Sequence, residues 1–338
     1  MTTSVRVRAP VRVLDAGGWT DTWFADAGAV CHVAVGEGSE VSVRQRKPSG
    51  SAQRDSVDLW VPAFGDRYRF GLDNPPGRHP LLEAAVRRWA LPEWRIEVTV
   101  ATSVPPGSSL GTSASVAVAM VAALKALADE PVEPPTLARA AHELEVRDLG
   151  LQSGVQDQIA AAYGGSNLIT IDAYPDARVE TLRLAPSTWD ALARRVLTVY
   201  LGSPHRSSAV HEAVIARLTG TDRATLLAPL RTAAKDAATA LASGSLDDYG
   251  EAMIANTAAQ TALHPALVNP LAREVIAVAK RYGAVGWKVN GAGGEGGTVS
   301  IVGPDDPVPL GDALSAINGL AVLPLRPART GVRIVDQT

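Results

Sequence analysis

Three glycine-rich segments and one pair of carboxylates carry the residue types that could do chemistry. Residues 9–22 (APVRVLDAGGWTDT) run an arginine-bearing strand pattern into a Gly17-Gly18 turn and then present Thr20 and Asp21. An Asp–Thr pair can accept from and donate to sugar hydroxyls, and Arg12 can reach a phosphate. Read alone, the segment equally describes a glycine turn with a solvated carboxylate and an edge-strand arginine.

Residues 105–115 (PPGSSLGTSAS) lie between a strand-like run and an apolar helical run. The free amides of a helix N-terminus and its dipole make an anion site there, and small residues let a phosphate come close. Gly107, Ser108, Ser109, Gly111, Thr112, Ser113, Ala114 and Ser115 are the candidate contacts. The loop is not a Walker A motif, because the required lysine is missing. The alternative is a serine-rich turn with an N-cap.

Residues 291–297 (GAGGEGG) satisfy GxGxxG, but a strand pattern follows instead of a helix, so the dinucleotide reading fails on context. A glycine loop between two strands is a different device, backbone lying close to a ligand or another loop, here through Gly293 and Gly294. It is otherwise a hairpin with no ligand. Glu145, near a predicted helix end, and Asp157, in the first turn of the next helix, suit one metal ligand and one general base. They suit a charged helix face and a helix-dipole aspartate as well.

The elements that must position these groups follow from hydrophobic periodicity and turn residues. Runs 5–14, 29–35, 40–46, 57–64 and 95–104 read as strands, with a helix over 81–89. Residues 113–128 are apolar almost all round, the mark of a buried helix. Thr136 is the expected N-cap of a helix running to about 149, and Ser153 that of a short helix over 154–163. Strand patterns follow at 167–172 and 179–184. Beyond a boundary near 190 come a strand at 196–201 and helices near 207–218, 222–242, 246–262 and 268–282. Strands near 284–290 and 297–302, a helix near 310–317, and strands near 320–325 and 331–335 close the chain. The content is α/β (α+β), in two units spanning 1–190 and 191–338.

Composition narrows the function classes. Apolar types make up 46 % and charged types 20 % of the 338 residues, which excludes a disordered chain, a fibre and a disulfide scaffold. The net charge of −3 offers no domain-wide basic field, so nucleic acid is not expected as a partner. Cys31, the single cysteine, rules out an internal disulfide and any cysteine-clustered zinc site. No apolar run approaches the ~18 residues of a membrane span, and the N-terminus lacks a signal-peptide core. A soluble, cytoplasmic protein without a membrane partner is expected, either monomer or homodimer.

Taken together and in this order, the segments resemble the GHMP kinase family, which includes galactokinase, homoserine kinase, mevalonate kinase and phosphomevalonate kinase. The loop 105–115 is similar to that family's phosphate-binding motif. The first segment departs from the Gly-Glu-His-Thr-Asp of galactokinases. It resembles the Gly-Gly-x-Thr-Asp form of L-fucose kinases and D-glycero-D-manno-heptose 7-phosphate kinases. Glu143, Glu145, Asp148, Leu149 and Gly150, then Gln156-Asp157-Gln158 and Tyr163-Gly164-Gly165, are similar to the heptose kinase type, as are Tyr200, Gly202, Arg206 and Ser208.

The resemblance implies a ribosomal-S5-like N-terminal domain, a ferredoxin-like C-terminal domain and an active site between them. It implies ATP as co-substrate, Mg²⁺ as cofactor and a small sugar as acceptor, phosphorylated at the anomeric C1 hydroxyl to give a sugar 1-phosphate. Asp157 matches the catalytic base, Arg12 the cation beside the transferring phosphate, and Asp21, with Gly18 and Thr20, the sugar contacts. Ser113 and Glu145 match the magnesium ligands, the 107–115 loop the nucleotide-phosphate site, and 291–297 the third motif. Glu295 departs from it, standing where glycine is usual. Trp19 and Trp23 either stack on a sugar face or fill core, and the adenine pocket is sought near strands at 57–70. Two rivals stand beside this reading: a GHMP kinase for a cyclitol or mevalonate-type alcohol, and a non-catalytic sensor of ATP and sugar.

Overall fold

A computed structural model describes residues 2–47, 55–75, 77–90, 94–203, 209–220 and 222–338. The alternating valines near the N-terminus form β1 (Thr2–Ala16), which pairs antiparallel with the 19-residue β2 (Gly28–Arg46). The runs expected as two strands, 29–35 and 40–46, are one. Gly38 marks the place where β1 bulges against it, since an added Cβ would meet the Ala9 carbonyl oxygen at 2.1 Å.

β3 (Ser56–Val61) ends where Pro62 opens a 3-10 turn, because proline cannot donate to the ladder. β4 (Asp66–Gly71) returns antiparallel to it, and α1 (Pro80–Trp89) leads to β5 (Arg95–Thr102), which lies parallel to β3. The apolar helix α2 (Thr112–Leu127) is buried throughout residues 114–124.

Two expected caps are not caps. α3 (Pro134–Glu143) starts on Pro134, whose missing N–H costs nothing at the first helical position, so Thr136 lies inside the helix. α4 (Gln156–Tyr163) starts two residues later than expected, with Val155 at the cap position, and the Ser153 side chain turns instead to Glu145. β6 (Ser166–Ala173) and β7 (Asp176–Thr181) form a hairpin, the second strand lying about three residues earlier than its apolar run suggested.

The remainder runs α5 (Pro186–Arg195), β8 (Val196–Tyr200), α6 (Ala209–Leu218), α7 (Arg223–Ser243), α8 (Leu246–Leu263) and α9 (Pro270–Arg281). β9 (Gly286–Val289), β10 (Thr298–Val302), α10 (Val308–Ser315), β11 (Ala321–Leu323) and β12 (Arg333–Gln337) complete it. One sheet has eight strands, in the order β12-β1-β2-β5-β3-β4, with β6 and β7 added along the first half of β2. A second, antiparallel sheet has the order β11-β8-β10-β9. The last strand therefore returns to the first sheet, where it pairs with β1.

A register shift between Ala9 and Val11 decides where the chemistry points. Before it, Val5, Val7 and Ala9 face the core shared with α2, and Arg6 and Arg8 point to solvent. After it, Val11 and Val13 join a core built with α7 and α8 on the other face. Side chains alternate along a strand, so a one-residue slip exchanges the faces. Arg12 is thereby turned inward, toward α2 and α4. Among the described residues, no helix is long and apolar enough to cross a membrane.

Candidate active site

The loop before α2 turns through left-handed backbone at Gly107 (φ 69°), Ser109 (φ 60°) and Gly111 (φ 75°). Gly111 stands at the N-cap of α2, and the first i→i−4 bond runs from the Ser115 amide to its carbonyl. The amides of Thr112, Ser113 and Ala114 thus have no partner within the helix and point into the turn. Gly111 is required twice, by its left-handed φ and because a Cβ there would lie 3.0 Å from the Asp157 carboxyl carbon. The 107–115 loop thus packs directly against Asp157.

Asp157, in the first turn of α4, accepts from Arg12 Nε at 2.9 Å (Oδ1) and from Nη2 at 3.3 Å (Oδ2). Arg12 Nη1 donates to the Ser109 carbonyl, so one guanidinium joins β1, the loop and the helix. Burial opposes the cation, but Asp15 and Asp157 together hold the Arg12 pKa above its ordinary value. The Asp157 carboxylate is 29 % exposed and faces a cavity of about 210 Å³. Arg12, Gly18, Asp21, Trp23, Gln152, Gln156, His211 and Ala292 also line that cavity.

Asp21 is buried, and its Oδ2 accepts the Gln156 amide at 3.1 Å. Burial pushes its carboxyl up to about 6, and nearby Asp157 adds to the shift, although the Gln156 amide and Arg12 oppose it. Gly154 leaves the room it needs: a Cβ there would fall 2.1 Å from Asp21 Oδ2. Trp19 and Trp23 both line this cavity but differ in exposure. Trp19 is buried, donates from Nε1 to the Ala292 carbonyl at 3.2 Å and meets His211 edge-on. Trp23 is 41 % exposed on the cavity wall.

Glu145 sits in a π-type turn, Leu144–Asp148, at the end of α3; such turns are frequent at functional sites. Its Oε1 accepts from Ser113 Oγ at 3.1 Å, and its Oε2 from Ser153 Oγ at 2.7 Å and Gln158 Nε2 at 2.6 Å. Burial raises its pKa, these three hydrogen bonds oppose the rise, and Asp157 adds to it. A second cavity, of about 310 Å³, adjoins the same loop. Val61, Phe64, His79, Leu82, Val100 and Pro106 line it, with Gly107, Thr112 and Ser113 at one end.

Several expected contacts lie elsewhere. The Thr20 hydroxyl bonds the Gly17 and Ala29 carbonyls and the Ala29 amide, fully buried, and so builds the turn instead of facing the cavity. The Ser115 hydroxyl turns away to the Ala9 carbonyl and Ser39, and its amide is spent on the helix, so neither is free for a phosphate. The Ser108 side chain is also buried, and its carbonyl accepts from Thr298. Gly293 and Gly294 are held by His211, Leu267 and Asn269. The point of the third segment that reaches the loop is Gly291, where a Cβ would lie 3.2 Å from the Ser109 carbonyl oxygen and 3.5 Å from Arg12 Nη2. Glu295 is exposed, and Arg206 and Ser208 lie outside the described residues.

The sequence reading passed over Lys288 and His211, and it gave Asp15, Ser153 and Gln158 no contact in the site. Asp15 and Lys288 were detectable in principle as charges inside apolar strand runs. Both are fully buried, with Asp15 Oδ1 3.8 Å from Lys288 Nζ and from Arg12 Nη1.

Residues 81–165 match the GHMP kinases N terminal domain. The chain is 26 % identical over 313 residues to a bifunctional fucokinase/GDP-fucose pyrophosphorylase of Arabidopsis thaliana, covering 86 % of this chain and 29 % of that protein. It is 35 % identical over 98 residues to a D-glycero-alpha-D-manno-heptose 7-phosphate kinase of Campylobacter jejuni, covering 29 % of this chain and 28 % of that one. The chain thus spans under a third of the length of these curated relatives. Its fold is that of a D-glycero-D-manno-heptose 1-phosphate kinase from Bacteroides thetaiotaomicron, with a TM-score of 0.76 at 21 % identity over 98 % of this chain and 99 % of that one. The matched segment contains the 105–115 loop, Glu145 and Asp157, and the fold shared with that heptose kinase extends over nearly the whole chain: the chain carries a GHMP kinases N terminal domain within the fold of such a kinase.

Proposed function

We propose that the protein transfers the γ-phosphoryl group of ATP to a hydroxyl of a small sugar, and that the anomeric C1 hydroxyl is the acceptor. The observation that carries this reading is the position of Asp157, hydrogen-bonded to Arg12, between the phosphate loop and a polar cavity of about 210 Å³. Phosphoryl transfer asks for in-line positioning and charge neutralisation more than for covalent chemistry. The 310 Å³ cavity, apolar and flanked by Phe64 and His79, suits a nucleoside, which puts its triphosphate over the α2 N-terminus.

Asp157 accepts the proton of the sugar hydroxyl as its oxygen bonds to the γ-phosphorus. The bond to the β–γ bridging oxygen breaks and ADP leaves. General-base help of this kind is worth ~10²–10⁴-fold. Arg12 holds the Asp157 carboxylate in place and offers positive charge beside the equatorial oxygens of the moving group. Asp21 accepts from a second hydroxyl and fixes the face that the sugar presents.

The Ser113–Glu145 pair fits a divalent cation. Both donors are hard oxygens at the mouth of the loop, and the buried Glu145 carboxylate has three neutral donors and a like-charged neighbour as its surroundings. Ser113 and Glu145 would hold Mg²⁺, which neutralises phosphate charge when bound. The fucokinase and heptose kinase relatives support a sugar acceptor, and the Gly-Gly-Trp-Thr-Asp segment supports the anomeric position.

The test is coupled ADP release over unphosphorylated hexoses, heptoses, cyclitols and mevalonate, followed by acid hydrolysis of the product. An acid-labile phosphate is expected, because glycosyl phosphates hydrolyse readily. An acid-stable product refutes the anomeric assignment. ATP and sugar binding without turnover refutes the kinase and leaves a sensor.

A further inference from the structure

We infer that Asp15 and Lys288 form a buried charge pair that positions Arg12, making Asp15 a positioning residue for the reacting groups. Arg12 and Asp15 stand three apart on β1, a spacing that in a regular strand puts side chains on opposite faces. Here they share one. The register shifts between Val13 and Ala16, and Leu14 takes a left-handed φ of 53°. Such backbone in a branched apolar residue persists only where the surroundings impose it.

The surroundings are identifiable, and they come from the second half of the chain. The Leu14 amide donates to Asn290 Oδ1 at 3.1 Å, and its carbonyl accepts from the Tyr249 hydroxyl at 3.3 Å. The Asp15 carboxylate then accepts the Gly291 amide on both oxygens, at 3.0 and 3.1 Å. Lys288 Nζ lies 3.8 Å from Asp15 Oδ1 and donates to the Val289 carbonyl. Four charges of alternating sign thus follow one another from Lys288 through Asp15 and Arg12 to Asp157.

The arrangement costs stability, because a buried ion pair is often matched or bettered by apolar side chains of similar volume. A fold that needed only to fill this space would be served by such side chains. What the pair adds is a fixed negative partner on the side of the guanidinium away from Asp157. Arg12 is then held from two directions, and the Gly291 turn is tied to the same carboxylate. Burial drives the Lys288 ammonium down to about 8 even with Asp15 alongside, a sign of how completely water is excluded.

Part of the functional consequence rests on the kinase reading, so the test has an arm that does not. The Asp15→Leu/Lys288→Met double variant removes both charges together. The Arg12 Nε–H is followed by ¹⁵N NMR, assigned by its loss in Arg12→Lys. We expect a folded variant whose Arg12 Nε–H exchanges roughly tenfold faster, about one hydrogen bond's worth of protection. With a turnover substrate, kcat should fall about 10- to 10²-fold, as small misplacements at a reacting centre do, while the KM for ATP stays near wild type. Wild-type exchange in the double variant overturns the inference, as does wild-type kcat. Should the double variant not fold, Asp15→Asn/Lys288→Gln keeps an acceptor for the Gly291 amide and is judged by the same two readings. If wild type transfers no phosphoryl group, the kinase reading fails while the NMR arm still decides the inference.

Discussion

Asp21→Asn offers the most direct check on the electrostatics of the cavity that Asp21 and Asp157 line. The Asp21 carboxyl is raised from its ordinary 3.8 to about 6, with burial the largest cause, because the folded chain removes most of the water that would solvate the charge. An acid whose pKa is raised on folding stabilises the fold while protonated. That contribution is fully present below about pH 4 and is lost as pH rises through about 6. A shift of about 2 units at ~1.36 kcal/mol each comes to about 3 kcal/mol lost by neutral pH. Asparagine keeps an acceptor for the Gln156 amide and carries no charge. Urea unfolding of both proteins, without ligands, from about pH 4 to about pH 7.5 reads the difference. The variant should gain on wild type by about 1.4 kcal/mol per pH unit between pH 4 and 6, then level off. A stability difference that stays flat over this window refutes the reasoning, since the carboxyl would then titrate normally. The same ionisation should govern the acceptor: the sugar KM should climb as pH falls below about 6, while the KM for ATP does not.

Asp157→Asn should lower turnover by ~10²-fold or more with nucleotide binding retained, measured by coupled assay and ATP-analogue titration. Near-wild-type turnover would end its assignment as base. Ser113→Ala and Glu145→Gln should each raise the Mg²⁺ concentration needed for half-maximal rate, and titrations that overlay wild type remove them as ligands. Asp21→Ala should cost roughly ten- to a hundred-fold in sugar kcat/KM, and it should blunt discrimination against one deoxy analogue. If no analogue shows that coupling, Asp21 serves the turn alone. Gly154→Ala should weaken sugar use with little effect on ATP, because its methyl would fall 2.1 Å from Asp21 Oδ2; unaltered sugar kinetics would show that the carboxylate can move aside.

Much of the site was legible because its chemistry is local. A glycine–serine loop opening a helix too apolar to lie at the surface leaves free amides at its turn wherever it is packed, and Gly111 is fixed by backbone sterics at the turn itself. Asp157 falls in the first turn of α4 and Glu145 in the π-type turn after α3, as the helical pattern placed them, although Thr136 and Ser153 do not cap these helices. The errors fall where a residue's role depends on which face of an element it occupies. Thr20 and Ser115 have the hydroxyls that a binding residue needs, but the turn and the β1–β2 backbone use them up.

What the sequence determined by itself is the inventory and its order: the glycine–serine loop, the two carboxylates, the arginine strand and the third glycine segment, all set by short-range propensities and spacing. What only the tertiary structure decided is their orientation. One bulge on β1 turns Arg12 inward, and a left-handed Leu14, pinned by Asn290 and Tyr249, brings Asp15 to its side. The third segment meets the loop through Gly291, because His211 holds Gly293 while Leu267 and Asn269 hold Gly294. A single-residue register slip costs little locally and leaves no mark in hydrophobic periodicity, yet it exchanges the two faces of a strand. It is fixed by contacts with elements more than two hundred residues away, which no local pattern in the chain can specify.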